Sequence, residues 1–166
     1  VPVDLARWQD LAAEVLHAEG VRGLAELALL FVSEAEIAEL NEDYMGKEGA
    51  TDVLSFPIDA AEAEIVIHNQ PPSRGPDRAP PDPGDMPLLL GDVVICPSIA
   101  AAQAPDHAGN LDDELALLVV HGVLHILGFD HDSPSALTRM RARELELLEA
   151  HHWHGPAPVG FRQEQA

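Results

Sequence analysis

The segment HGVLHILGFDH, residues 121–131, closes a nearly all-apolar run, LDDELALLVVHGVLHIL (111–127). An apolar stretch of this length, with Asp112, Asp113 and Glu114 where a helix dipole favours negative charge, predicts a central buried helix. His121 and His125 are four residues apart, so they share one face of that helix about one turn from each other. Neutral imidazoles at that spacing can share a metal ion. Gly128 can take the left-handed conformation that ends a helix and reverses the chain, which would bring His131 back as a third nitrogen. Three histidines leave a fourth position open for water, the design of a catalytic zinc site. The competing explanation is three unrelated core histidines. It would require each buried, unpaired imidazole to carry its own desolvation cost.

The spacing of His121, His125 and His131 equals that of the zincin-type motif HExxHxxGxxH. In that motif the glutamate after the first histidine is the general base of a protease, and here the position is Gly122. Glycine cannot accept a proton, so the sequence keeps the metal ligands of a zincin-like helix and lacks the proteolytic base.

Outward from this helix, residues 4–18 place Leu5, Trp8, Leu11, Ala12, Val15 and Leu16 at helical spacing, with Gly20 as a stop. Residues 24–32 (LAELALLFV) read as a strand, although their Ala and Leu content leaves a helix open. Ser33 and Glu36 form a capping box for a helix ending near Asn41 to Tyr44. TDVLSFP (51–57) reads as an edge strand, because Pro57 cannot donate to a sheet ladder. LLLGDVVIC (88–96) is the strongest strand, with Gly91 marking a bulge or a close backbone approach. A short helix opens at Pro97, and a last helix starts near Ser133, with Pro134 in its first turn, and runs to about Ala150. Residues 69–87 hold half of the chain's 14 prolines and read as a flexible loop. Residues 151–166 read as a loose tail. The expectation is one α+β domain over residues 1–150.

The 166 residues carry 9 basic and 29 acidic side chains, a net charge of −20. Such a field favours solubility and opposes nucleic acid at long range, so any RNA contact needs a local cation or a metal ion. No apolar run approaches the roughly 18–20 residues of a membrane span. The start lacks a signal-peptide pattern. The single cysteine, Cys96, excludes an internal disulfide and suits a reducing cytosol.

Three blocks in this order, LNEDYMGKEGATDVLSFP (40–57), LLLGDVVICP (88–97) and ELALLVVHGVLHILGFDHD (114–132), resemble the YbeY family of bacterial rRNA maturation factors, described as metal-dependent single-strand endoribonucleases. The resemblance runs from the first helix to about Ala150. It implies a small mixed sheet packed with helices, and one Zn2+ held by His121, His125 and His131, acting catalytically through water bound to the zinc, with the general base unassigned. It further implies cleavage of single-stranded rRNA at the 16S 3′ end, ribosome quality control, the small ribosomal subunit as partner and a cytoplasmic location, with no membrane and no disulfide-linked partner. Two rivals stay open: a ribosome-assembly binding protein with a mainly structural metal, and a metallohydrolase acting on another substrate.

The chain departs from the family in two places. Many members carry arginine after the tyrosine of the LNxxYR block, where this chain has Met45; and the family usually begins with a strand ahead of the first helix, whereas this sequence opens at that helix, as if the strand were missing or cut away. Lys47 could supply the missing cation or be a solvated loop lysine. Thr51 and Ser55, on a strand that could line the cleft, are substrate-binding candidates. Asp130 and Asp132 could orient a histidine, and Asp92 could buttress the site or belong to a bulge. Arg139, Arg141 and Arg143 read as solvated partners of Glu144 and Glu146 rather than an RNA patch. His151, His152 and His154 could form a weak second metal site or belong to the solvated tail.

Overall fold

The computed structural model describes residues 3–21, 25–58, 88–129 and 131–163. The Pro-rich segment 69–87 and Asp130 lie outside the described residues. Helix α1 (Leu5–Ala18) leads into strand β1 (Ala25–Phe31), helix α2 (Glu34–Met45) and strand β2 (Val53–Pro57). Strand β3 (Leu88–Ile95), the short helix α3 (Pro97–Gln103), a 3-10 turn (Ala104–Asp106), helix α4 (Leu111–Ile126) and helix α5 (Pro134–His151) follow. The architecture is α+β, as expected, with a three-stranded mixed sheet in the order β1-β3-β2.

The helix ends follow their local chemistry. Asp4, Ser33, Asn110 and Ser133 each accept a backbone N–H of the first turn that would otherwise lack a partner. Glu36 returns the bond to the Ser33 N–H, completing the capping box. Helix α2 runs one residue beyond Tyr44 and stops at Gly46, whose φ of 67° is left-handed. The buried Asn41 side chain donates to the Gly49 carbonyl at 2.9 Å and ties down the loop that carries Lys47.

Strand β3 is central, parallel to β1 and antiparallel to β2, so β2 is the edge strand that Pro57 requires. Gly91 marks both features expected of it. The β1–β3 register slips beside it, between Glu26 and Leu27. A Cβ on its backbone (φ +145°) would lie 2.4 Å from the Phe56 carbonyl oxygen, so only glycine lets β2 close on β3 here.

One face of the sheet carries the main core. Helices α1, α4 and α5 bury Trp8, Leu11 and Val15, most of α4, and Met140, Leu147 and Leu148 against Val93 and Ile95. The other face is covered by α2, where Ile37 packs with Leu54, Val94 and the free thiol of Cys96. No helix among the described residues is long and apolar enough to cross a membrane.

Of the 151–166 segment expected to be a loose tail, the described residues 151–163 are docked instead. Trp153 Nε1 donates to Asp113 Oδ1 at 2.9 Å, His152 Nε2 meets the same oxygen at 2.8 Å, and Phe161 packs edge-on against Trp153. The Arg162 N–H donates to the His107 carbonyl at 3.1 Å, and the Gln163 amide to the Arg141 carbonyl at 2.7 Å. Aromatic burial against α4 gives this Gly- and Pro-containing segment a reason to order that helical periodicity could not reveal.

Helix α4 reaches the sheet at Gly122. A Cβ there would lie 2.5 Å from Val93 Cγ1, well inside van der Waals contact. Gly122→Ala should therefore push α4 off β3 and destabilise the fold by about 1–3 kcal/mol. Urea unfolding of the variant beside the wild type checks this through a lower midpoint at unchanged slope.

Candidate metal centre

His121 and His125 project from the last turns of α4, and Gly128 (φ +102°) reverses the chain just beyond the helix end. His131 follows that reversal and faces both of them. The ring centroids of His121 and His125 are 4.7 Å apart, those of His125 and His131 4.9 Å, and those of His121 and His131 5.9 Å. One ligand nitrogen from each lies within 4.8 Å of the others. No other group of three histidine, cysteine or acidic side chains among the described residues converges in this way. His121 and His125 are half-buried and His131 is exposed, so an ion held here would be walled on one side and open on the other.

The donor set fits a metal for a further reason. His121 Nδ1 lies 3.2 Å from Glu144 Oε2, a carboxylate 3% exposed on α5. A carboxylate on one ring nitrogen fixes the tautomer and the ring orientation, leaving Nε2 with the lone pair that a cation requires. The sequence reading assigned Glu144 to the neighbouring arginines, and the structure corrects it. Arg143 pairs with Glu146, as expected, and with Glu19 in place of Glu144. Burial works to lower the Arg143 pKa, but hydrogen bonds to these two carboxylates outweigh it and raise the pKa above its ordinary value.

The three histidines stand in a cleft of about 740 Å³ bordered by β2, the end of α2 and the segment from Ile99 to His107. Lys47, Thr51 and Ser55 all line it, as does Met45, which is 42% exposed. Lys47 is exposed. The Ser55 hydroxyl donates to the Gly122 carbonyl at 3.3 Å, fastening β2 to the histidine-bearing helix. Thr51 Oγ1 donates to Asp52 Oδ1 at 3.3 Å. Asp52 itself is turned inward, taking the Val53 N–H at 2.8 Å and the Gln103 amide at 2.7 Å.

Other candidates fall elsewhere. Asp92 is exposed and absent from the cleft lining, and Asp132 is exposed. His151 faces Glu14 at 3.7 Å and His152 is held by Asp113, so the tail histidines do not gather around an ion. Sequence reading missed Asp52, Gln103, His107 and Glu114, which meet only after α3, β2 and α4 have packed.

An α+β fold with a helix-borne three-histidine centre, zincin-like in spacing and lacking the proteolytic glutamate, defines the class. The model of the endoribonuclease YbeY family matches residues 1–152. This chain belongs to that family. It is similar to the endoribonuclease YbeY of Acidothermus cellulolyticus, 44% identical over 98% of this chain and 91% of the relative. It also resembles the endoribonuclease YbeY of Thermobifida fusca, at 41% identity over 89% and 86% of the two chains. The solution structure of TM1509 from Thermotoga maritima shares the fold, with a TM-score of 0.51 at 23% identity over 90% of this chain and 83% of that one.

Replacing Glu144 with glutamine removes the charge behind His121 while keeping the side-chain shape. Metal affinity should fall by about 10–100-fold, measured by competition titration with a chromogenic zinc chelator, with far-UV circular dichroism unchanged.

Proposed function

We propose that the chain is a zinc-dependent, single-strand-specific endoribonuclease that acts in the cytoplasm on rRNA of the small ribosomal subunit, in 16S 3′-end maturation and ribosome quality control. The observation that carries this reading is the three-histidine centre in an open cleft beside the edge strand β2, in a family whose named members are endoribonucleases. When bound, the ion would supply a Lewis acid for a phosphodiester and a local positive charge in an acidic protein. His121, His125 and His131 would hold it.

The protein's own residues prepare the cleft for an anion. Asp52 is occupied by Thr51, Val53 and Gln103, so its charge is spent on internal donors. Lys47 remains exposed at the rim, where a flexible ammonium can follow a phosphate. Ser55 acts through Gly122, keeping β2 at a fixed height beside the histidines. A mainly structural metal is the second reading, favoured by Met45 standing where the family resemblance implies an arginine. Against it, the centre gathers three side chains among the described residues rather than the four of a closed structural site.

Cleavage of a fluorescent single-stranded RNA, with chelator and after zinc is restored, tests the proposal. Chelation should abolish cleavage and zinc should restore it. His125→Ala should lose both metal and cleavage while keeping its helix, since alanine is a strong helix former. Cleavage untouched by chelator or by this substitution would overturn the reading. Met45 lines the cleft, so Met45→Arg should add one charge-assisted phosphate contact, strengthening single-stranded RNA binding by about 1.5–3 kcal/mol. The slope of log affinity against log salt should steepen by about 0.7, read from fluorescence anisotropy at several salt concentrations.

A further inference from the structure

The cleft contains a fourth histidine, which the metal centre does not use. His107 follows the 3-10 turn Ala104–Asp106 and lines the cleft together with His121, His125 and His131. Its side chain is 19% exposed, and its Nδ1 is fully buried without a hydrogen-bond partner. This is not the pattern of a satisfied core histidine. The buried nitrogen faces Glu114 Oε1 at 3.5 Å, within range of charge attraction and slightly too far for a hydrogen bond.

Glu114 is wholly buried on α4, two turns before His121. It accepts the Gln103 amide at 3.0 Å and the Ala108 N–H at 3.2 Å, and these bonds fix its carboxylate in place. The His107 backbone is held as well, because its carbonyl accepts the Arg162 N–H of the docked C-terminal segment. A nitrogen lone pair pointed at this carboxylate would be repelled, whereas an N–H would be attracted. In the neutral ring the proton therefore sits on Nδ1, which leaves Nε2 as the acceptor.

An acceptor at that point selects for a donor. The oxygens of a phosphodiester donate nothing, whereas the ribose 2′-hydroxyl does, and it is the group that separates RNA from DNA. We propose that His107, held by Glu114, is a specificity-determining residue of the cleft: its Nε2 accepts the 2′-hydroxyl of a ribose bound beside the metal centre. The inference rests on the ribonuclease reading above and adds the residue by which the site tells ribose from deoxyribose.

The test pairs one variant series with one substrate change. A short single-stranded RNA and the same oligonucleotide carrying a single 2′-deoxy substitution, moved along the strand, are cleaved by wild type, His107→Ala and His107→Gln. For wild type, one position should show a deoxy penalty of about five-fold in kcat/KM, the worth of one hydrogen bond. His107→Ala should lose the same factor on RNA, through KM rather than kcat, and show no penalty at that position. His107→Gln, whose amide oxygen can reach nearly the same point, should recover most of the discrimination. A deoxy penalty that persists in His107→Ala would overturn the proposal, as would equal losses on both substrates. Binding of the two oligonucleotides to metal-free protein gives the same comparison without catalysis. A wild type that binds but does not cleave would overturn the ribonuclease reading, and the binding comparison would still decide the role of His107. Zinc content and melting temperature should stay at wild-type values in both variants.

Discussion

The contact on which the site depends is the meeting of the α4 backbone with strand β3 at Gly122. No side chain fits between the helix and Val93 there, and the Gly122 carbonyl takes the Ser55 hydroxyl of β2. One residue thus sets both the distance from helix to sheet and the position of the edge strand. The same residue stands where zincin proteases carry their glutamate. Any side chain in this position would collide with the sheet, so the missing protease base is a consequence of packing. A glutamate of the zincin kind has no room at this position of the fold.

Two buried carboxylates complete the site, each reaching it from a different direction. Glu144 comes from α5 and orients His121, whereas Glu114 lies on α4 itself and faces His107. In a chain of net charge −20, acids this close to the cleft would be expected to repel the anionic substrate proposed for it. Their charge is instead directed into the protein, against imidazoles, amides and backbone N–H groups. Around the three histidines the cleft therefore presents imidazole nitrogens, with these two carboxylates behind them.

What the sequence discloses is mostly local. Caps, the edge proline, the bulge glycine and the i, i+4 histidines are legible because each works within a few residues, where chain geometry leaves few alternatives. His131 is legible for the same reason, through Gly128. Glu144, Glu114 and His107 are not, because a glutamate in a helical pattern with charges on either side gives no sign of which way it faces. Glu144 sits among arginines one, three and five residues before it, and only the packing of α5 on α4 turns it inward. The segment after His151 misleads in the opposite sense. Its glycines and prolines suggest disorder, and its Trp153 and Phe161, which bind it to the body, carry no period.

The three ligand histidines span eleven residues. Bringing them together closes only a short loop, and the entropy lost in doing so is small compared with that of a site whose ligands come from distant segments. The hinge of that loop is Gly128, which adopts its left-handed conformation without steric strain. An ion at this centre is therefore gripped by the end of one helix and the turn after it. Retained metal would therefore report on the last turns of α4, the turn after them and the α5 carboxylate that orients His121.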